Sequence, residues 1–340
     1  MIAILQAPLR HKAAALPSGH QQHIEMIGGS SPDHLQWLRE QPGFPRFYWQ
    51  SRDGELEIAA VGATRVFYSL KSAQKFIHYC APTDFQPLLV GGIPFPQQGI
   101  EGSTEISWQE FSSSKRVRRE VFFLPEKALI RRAQHTFYVR FVRLDRGNLA
   151  TGDSTLTVQP QQSRAGDDKF PDLVTRKDQP NRKQWDDMVT KVIHPDALAV
   201  TPKIVLARRS RFLMQQNLDQ FALLRKWKQI EPHTVPYMLQ LAQDSCFLGC
   251  SPERLYRRRD RDIVTEALAG TIEKLHAEPS AENSASALRS DVKIRRENYL
   301  VQDYIRKQLM PLCDTVYVSP VADVVELKFI QHLRKLITGK

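Results

Sequence analysis

The chain has 340 residues, 41% of them hydrophobic and 25% charged, with 48 lysines and arginines against 37 acids for a net charge of +11. This composition describes a folded globular chain of one large domain or two ordinary ones and excludes a collagen-like or largely disordered one. The positive excess fits a nucleic acid, an anionic small molecule or a solvated basic surface, and by itself does not choose between them.

The opening "MIAILQAPLRHK" holds only a brief apolar run before proline and charge, and no later stretch is long enough to span a bilayer, so a cytoplasmic chain without a membrane partner is expected. Farther on, "SPDHLQWLREQ" opens with a cap-like Ser-Pro-Asp and spaces Leu35 and Leu38 as a short amphipathic helix would. Two apolar runs then flank Asp53-Gly54 in "PRFYWQSRDGELEIAAVG", the strongest hairpin signal in the chain.

Residues 159–182 are polar, contain three prolines and show no sustained period, which predicts a long loop, with 171–182 as its linker-like end. Beyond it, Trp185, Met188, Val189 and Val192 share one helix face, "HPDALAVTP" breaks that helix, and "KIVLAR" reads as a strand starting at Lys203. "LDQFALLRKWKQI" is helical, "PYMLQLAQDSCFLGC" is a strand pair around a polar turn, and "ERLYRR" with "DIVTEAL" forms a hairpin through Arg259-Asp260-Arg261. The last strong helix is "DVKIRRENYLVQDYIRKQL", ending before Pro311.

Cys80, Cys246, Cys250 and Cys313 form no C-x-x-C pair, so reduced structural thiols are expected rather than a metal knuckle. The basic runs at 115–120, 257–261 and 293–297 are interrupted by acids and lack interleaved aromatics, which favours a solvated face over a nucleic-acid groove.

Single residues stand out without being decisive. Extending the helix stripe of Leu300, Val301 and Tyr304 back one turn lands on Glu297, either an acid paired with an arginine or an inward ligand or catalytic acid. Lys203 is a strand-entry lysine or a partly enclosed one. Glu253 after Ser-Pro reads equally as a solvated acid, Gly270-Thr271 as a strand end, and His332 as a satisfied core histidine.

Taken in order, "KIVLARR", "FLGCSPERLYRRRDRDIVTEALAGT", "RRENYLVQDYI" and "ELKFIQHLRK" resemble the consecutive motifs of the chorismate-binding enzymes, a family that includes isochorismate, anthranilate, aminodeoxychorismate and salicylate synthases. The resemblance runs from about Pro45 onward, and "FYWQSRDGE" with "SPERLYRRRD" is most similar to the isochorismate synthases of the menaquinone branch. It implies an α+β fold of two large, mainly antiparallel sheets packed face to face with helices outside. Residues 1–170 would then form a hairpin-rich N-terminal portion and 183–340 the chorismate-binding region.

By the same resemblance, Lys203 matches the lysine that activates water for attack at C2 of chorismate, and Glu253 the acid that protonates the departing C4 hydroxyl. Glu297 matches a carboxylate that binds magnesium, and Gly270 and Thr271 match a loop that contacts substrate. A hydroxide leaves poorly, so an acid on one side of the ring and a base on the other suit this chemistry. Magnesium takes oxygen ligands, commonly one or two carboxylates with substrate and water.

A lysine base points to the water-using members: isochorismate synthase first, salicylate synthase second. In the relatives the strand matching "FIQHL" is followed by a Pro-Thr-Pro turn, a substrate-binding arginine and a second magnesium carboxylate. Their absence here leads to the expectation of a C-terminally incomplete fold and, as a third alternative, a non-catalytic chain that at most binds chorismate.

Overall fold

The computed structural model describes residues 2–6, 20–29, 31–80, 86–94, 120–143, 170–201, 203–274 and 281–340. The chain groups into two compact units, Met1–Asp167 with Gln220–Cys250, and Asp168–Asp219 with Ser251–Lys340.

Among the described residues of the first unit is a mainly antiparallel seven-stranded sheet. Its order is β13 (Ser245–Ser251), β12 (Val235–Ala242), β3 (Arg46–Gln50), β4 (Leu56–Val61), β8 (Lys127–Arg132), β9 (His135–Arg143) and β2 (His20–Ile27). A four-stranded antiparallel sheet runs β1 (Ile2–Gln6), β6 (Leu88–Gly92), β7 (Val121–Leu124), β5 (Arg65–Phe67). The helices are α1 (His34–Glu40), α2 (Leu70–Cys80) and α5 (Gln220–Ile230).

Strand alternation explains the layering. Phe47, Ile58, Ala60, Ala128 and Ile130 point one way, into a core shared with Leu88, Leu89, Val90 and Phe122 of the four-stranded sheet and with Phe76 of α2. Their neighbours Tyr48, Ala59, Val61 and Leu129 point the other way, against Leu35 and Leu38 of α1 and Phe221 and Leu224 of α5. A strand buried on both faces needs no polar alternation, which is why "EIAAV" is apolar almost throughout.

Under α1 and α5 lies one buried carboxylate. Glu57 accepts hydrogen bonds from Tyr48 Oη (2.6 Å) and Lys228 Nζ (3.1 Å) on one oxygen, and from Arg131 Nη2 (2.6 Å) and Nε (3.2 Å) on the other. His34 Nδ1 stands 3.8 Å from it and donates to the Pro32 carbonyl at 3.0 Å.

The second unit is built on a five-stranded sheet: β14 (Arg257–Arg259), β15 (Asp262–Glu273), β18 (Ile330–Gly339) and β16 (Val316–Val318), with β17 (Asp323–Glu326) also paired to β18. Helices α6 (Ala281–Ser290) and α7 (Val292–Leu309) cover one face, where Ile294 and Leu288 meet Leu333, and Leu309 meets Ala267 and Ile337. A two-stranded ribbon, β10 (Leu173–Gln179) with β11 (Arg209–Met214), and helices α3 (Arg182–Val192) and α4 (Pro195–Val200) complete the unit.

The α+β class with mainly antiparallel sheets is the one expected, and none of the four cysteines is in a disulfide. The hairpin at Asp53-Gly54 is β3–β4, closed by Ser51 N–H to Leu56 O at 2.8 Å. Asp33 caps α1 by accepting from Leu35 and Gln36 N–H. Among the described residues no helix is long and apolar enough to cross a membrane.

Four local expectations are corrected. Residues 171–182 are not a loop: 173–179 form β10, because β11 offers a ladder partner that local composition does not show. "KIVLAR" is not a strand: the ladder begins at Arg209 opposite Gln179, and the next position across is Pro180, which has no N–H to give. Residues 253–256 leave the hairpin, whose first strand covers only Arg257–Arg259. In α7 the sheet-facing stripe runs through Ile294, Asn298, Val301, Ile305 and Leu309, and Tyr304 is 66% exposed. The stretches 115–119 and 159–169 lie outside the described residues.

Candidate active site

The site is organised by an irregularity in β15. Its register to β18 runs Ile263↔Gly339 to Leu268↔Arg334 and resumes at Thr271↔His332, one extra residue on the β15 side. Gly270, at φ +84°, supplies the left-handed conformation this bulge requires, and a Cβ there would stand 2.5 Å from Cγ2 of Ile294. Carbonyls displaced by the bulge find a donor in α7. The buried Asn298 amide donates to Ala267 O (3.0 Å), Ala269 O (3.3 Å) and Leu333 O (3.0 Å), clamping the helix onto both strands.

The bulge presents Thr271 and His332 side by side, with Thr271 Oγ1 2.8 Å from His332 Nδ1. Burial pushes the His332 pKa below its usual value, against the charge of Glu253 and a hydrogen bond to the Gly270 backbone, both of which raise it. Glu253 is thereby placed within electrostatic reach of this pair. It sits in the exposed irregular stretch before β14, its N–H donating to Ser251 Oγ at 3.2 Å.

The structure thus sets Thr271, beside Gly270, against His332, which in the sequence reads as an ordinary core residue, and the charge of Glu253 is felt at that histidine. The signal that locates it is long-range pairing, since only the register of β18 on β15 sets His332 opposite Thr271. A second residue, given no role by resemblance although it lies within "TEALAGT", is Glu266, a buried acid inside the apolar run of β15.

Glu297 lies on α7 one turn after Ile294, which packs on Gly270, and is half-buried at the flank of the sheet-facing stripe. Lys203 is half-buried in the irregular segment before β11, and among the described residues no hydrogen bond or ion pair joins it to Glu253. Among the described residues no three His, Cys, Asp or Glu side chains are grouped to hold a metal. Glu297 is therefore not one of three such side chains grouped together among the described residues.

The chain is similar to several known proteins. Residues 20–340 match the family model described as chorismate binding enzyme. The chain is 28% identical to isochorismate synthase MenF of Escherichia coli over 98% of its own length and 73% of the relative's. It is also 28% identical to MenF of Haemophilus influenzae, over 90% of this chain and 64% of that one. It therefore spans about two thirds to three quarters of the length of these relatives.

Among solved structures, the menaquinone-specific isochorismate synthase MenF of Escherichia coli superposes with a TM-score of 0.72 at 22% identity, covering 97% of this chain and 72% of that one. A 2,3-dihydroxybenzoate-specific isochorismate synthase, DhbC of Bacillus anthracis, gives 0.63 at 19% identity. With a family model matched across nearly the whole chain and a bulged strand that sets the motif residues side by side, this protein belongs to the chorismate-binding enzymes.

Proposed function

We propose that the chain acts on chorismate as an isochorismate synthase, adding water at C2 and expelling the C4 hydroxyl. The observation that carries this reading is the pairing of Thr271 with His332 at the β15 bulge beside Gly270, with the charge of Glu253 acting on that histidine, in a chain whose sequence also supplies a lysine at position 203.

In this reading Lys203, as base, takes a proton from the attacking water as the C2–O bond forms. Glu253, as acid, gives a proton to the C4 oxygen as the C4–O bond breaks and the ring double bond shifts. One water enters and one leaves, so the product is an isomer, and return of the proton from the lysine to the glutamate resets both groups. Gly270 and Thr271 contact the substrate.

Magnesium, when bound, would screen the substrate's carboxylate charge, with Glu297 as one ligand. A role in menaquinone biosynthesis follows from likeness to the menaquinone-specific relative and is part of the proposal.

The test is incubation of the purified chain with chorismate, with and without magnesium, followed by chromatographic separation of products. Isochorismate that disappears in Lys203→Ala and in Glu253→Gln supports the reading. Salicylate as the only product would assign the chain to the salicylate synthases, and calorimetric binding of chorismate without any product would leave a non-catalytic binder.

A further inference from the structure

We infer that Glu266 is a positioning residue for Glu253, and this inference rests on the proposed role of Glu253. The geometry behind it is a failure of the hairpin ladder. β14 and β15 pair Arg257↔Val264, Arg258↔Ile263 and Arg259↔Asp262. The same register continued would set Leu255 opposite Glu266, but residues 253–256 leave the ladder, and their backbone groups need other partners.

Two neighbouring side chains of β15 supply them. Arg254 N–H donates to Glu266 Oε1 at 3.1 Å, and Thr265 Oγ1 donates to Leu255 O at 2.5 Å. The irregular segment is therefore held to the sheet by side chains where backbone pairing has lapsed.

Glu266 is suited to more than charge balance. Its side chain is only 2% exposed, yet the ion pair it makes with Arg334, Nη1 to Oε2, is long at 3.9 Å, and the same guanidinium reaches Asp323 through Nη2 at 3.4 Å. Shorter than the Arg334 pair, and directional, is the contact to the Arg254 amide, a charge-assisted hydrogen bond to the backbone. That amide belongs to the peptide joining residues 253 and 254, so fixing it fixes the plane from which the Glu253 side chain departs. A carboxylic acid whose proton must reach one substrate oxygen loses rate when its backbone swings, and loses little substrate affinity.

The test compares Glu266→Ala with Glu266→Gln, because glutamine keeps an oxygen acceptor for the Arg254 amide and removes the charge facing Arg334. Glu266→Ala is expected to lower kcat about 10- to 100-fold while KM changes less than about threefold, the range that loss of one charged-group hydrogen bond gives. Glu266→Gln is expected to recover kcat to within about fivefold of the wild type, the neutral bond being roughly half as strong. Hydrogen exchange at the Arg254 amide is read in parallel, slow in the wild type and in Glu266→Gln and fast in Glu266→Ala.

Equal losses in both variants would assign Glu266 to charge pairing with Arg334 and overturn the inference, as would unchanged kcat and exchange in Glu266→Ala. Should Glu266→Ala not fold, the wild-type chain decides: an Arg254 amide exchanging as fast as a solvated one overturns it. No turnover in the folded wild-type chain would refute the proposed function instead, and the exchange measurements would still decide whether Glu266 fixes that peptide.

Discussion

Gly270 shows how much one residue can carry. Its backbone is left-handed at φ +84°, and its missing Cβ leaves room for Ile294, which packs there from α7. Gly270→Ala would meet both constraints, and is expected to destabilise the fold by about 3 kcal/mol, the sum of a left-handed alanine and an overpacked contact. Gly43 is a control: its φ is +90° but nothing lies within 4 Å of the place a methyl would take, so Gly43→Ala should cost only about 1–2 kcal/mol. Urea titrations of the two variants check this, and equal losses would show that contact with Ile294 is unimportant. The glycine is visible in "ALAGT" as a strand end; that it is instead the centre of a bulge depends on α7, which no local pattern around residue 270 discloses.

Elements are held to one another by polar groups as much as by apolar ones. Asn298 gives α7 its hold on β15 and β18, and Asn298→Leu, the same in heavy-atom branching but bulkier and without a donor, is expected to cost about 2–4 kcal/mol because several buried carbonyls lose their donor. Chemical denaturation checks it, and a loss below about 1 kcal/mol would mean that packing alone seats the helix.

In the first unit Glu57 does the corresponding work for α1 and α5. Burial pushes its pKa up, but the opposing effects of His34, Lys228, Tyr48 and Arg131 prevail and lower it from 4.5 to about 2. The pKa of His34 is itself held below its usual value, chiefly by burial, so at neutral pH Lys228, Arg131 and Tyr48 keep the carboxylate charged, and His34 adds to them only once protonated in acid. Glu57 thus stabilises the fold fully above about pH 4.5 and loses that contribution as pH falls toward 2. Glu57→Gln should lose about 3 kcal/mol at neutral pH, and its deficit should narrow across that acid range. A deficit independent of pH would remove the charge from the explanation.

For the whole chain, the division into two units makes thermal unfolding informative. Calorimetry should resolve two transitions, with Glu57→Gln lowering one and Gly270→Ala the other. A single transition moved by both would show that the units melt together.

Hairpins, caps and the helices at 220–230 and 292–309 can be read from residue order because turn chemistry and helical period are local. The division cannot. A polar stretch suggests one cut near residues 171–182, whereas Gln220–Cys250 returns to the first unit through Tyr237 pairing with Trp49, a contact between residues 188 apart in sequence. The candidate site is legible in the same partial way. Glu253, Gly270 and Thr271 can be picked out by resemblance, but the partnership with His332 and the anchoring by Glu266 depend on which strand lies beside β15.

β18 is read on both faces. Gln331, Leu333, Ile337 and Gly339 are buried, while the alternate positions include His332 and Arg334, which meet Thr271 and Glu266. Because the two sets interleave with period two, a single inserted or deleted residue would send the histidine into the core and Leu333 into the site together. Over evolutionary time such a strand can drift by replacement, trading volume at one parity and chemistry at the other. It cannot drift by length, so lineages descended from this chain should keep the spacing from His332 to Gly339 even where few of the intervening residues survive.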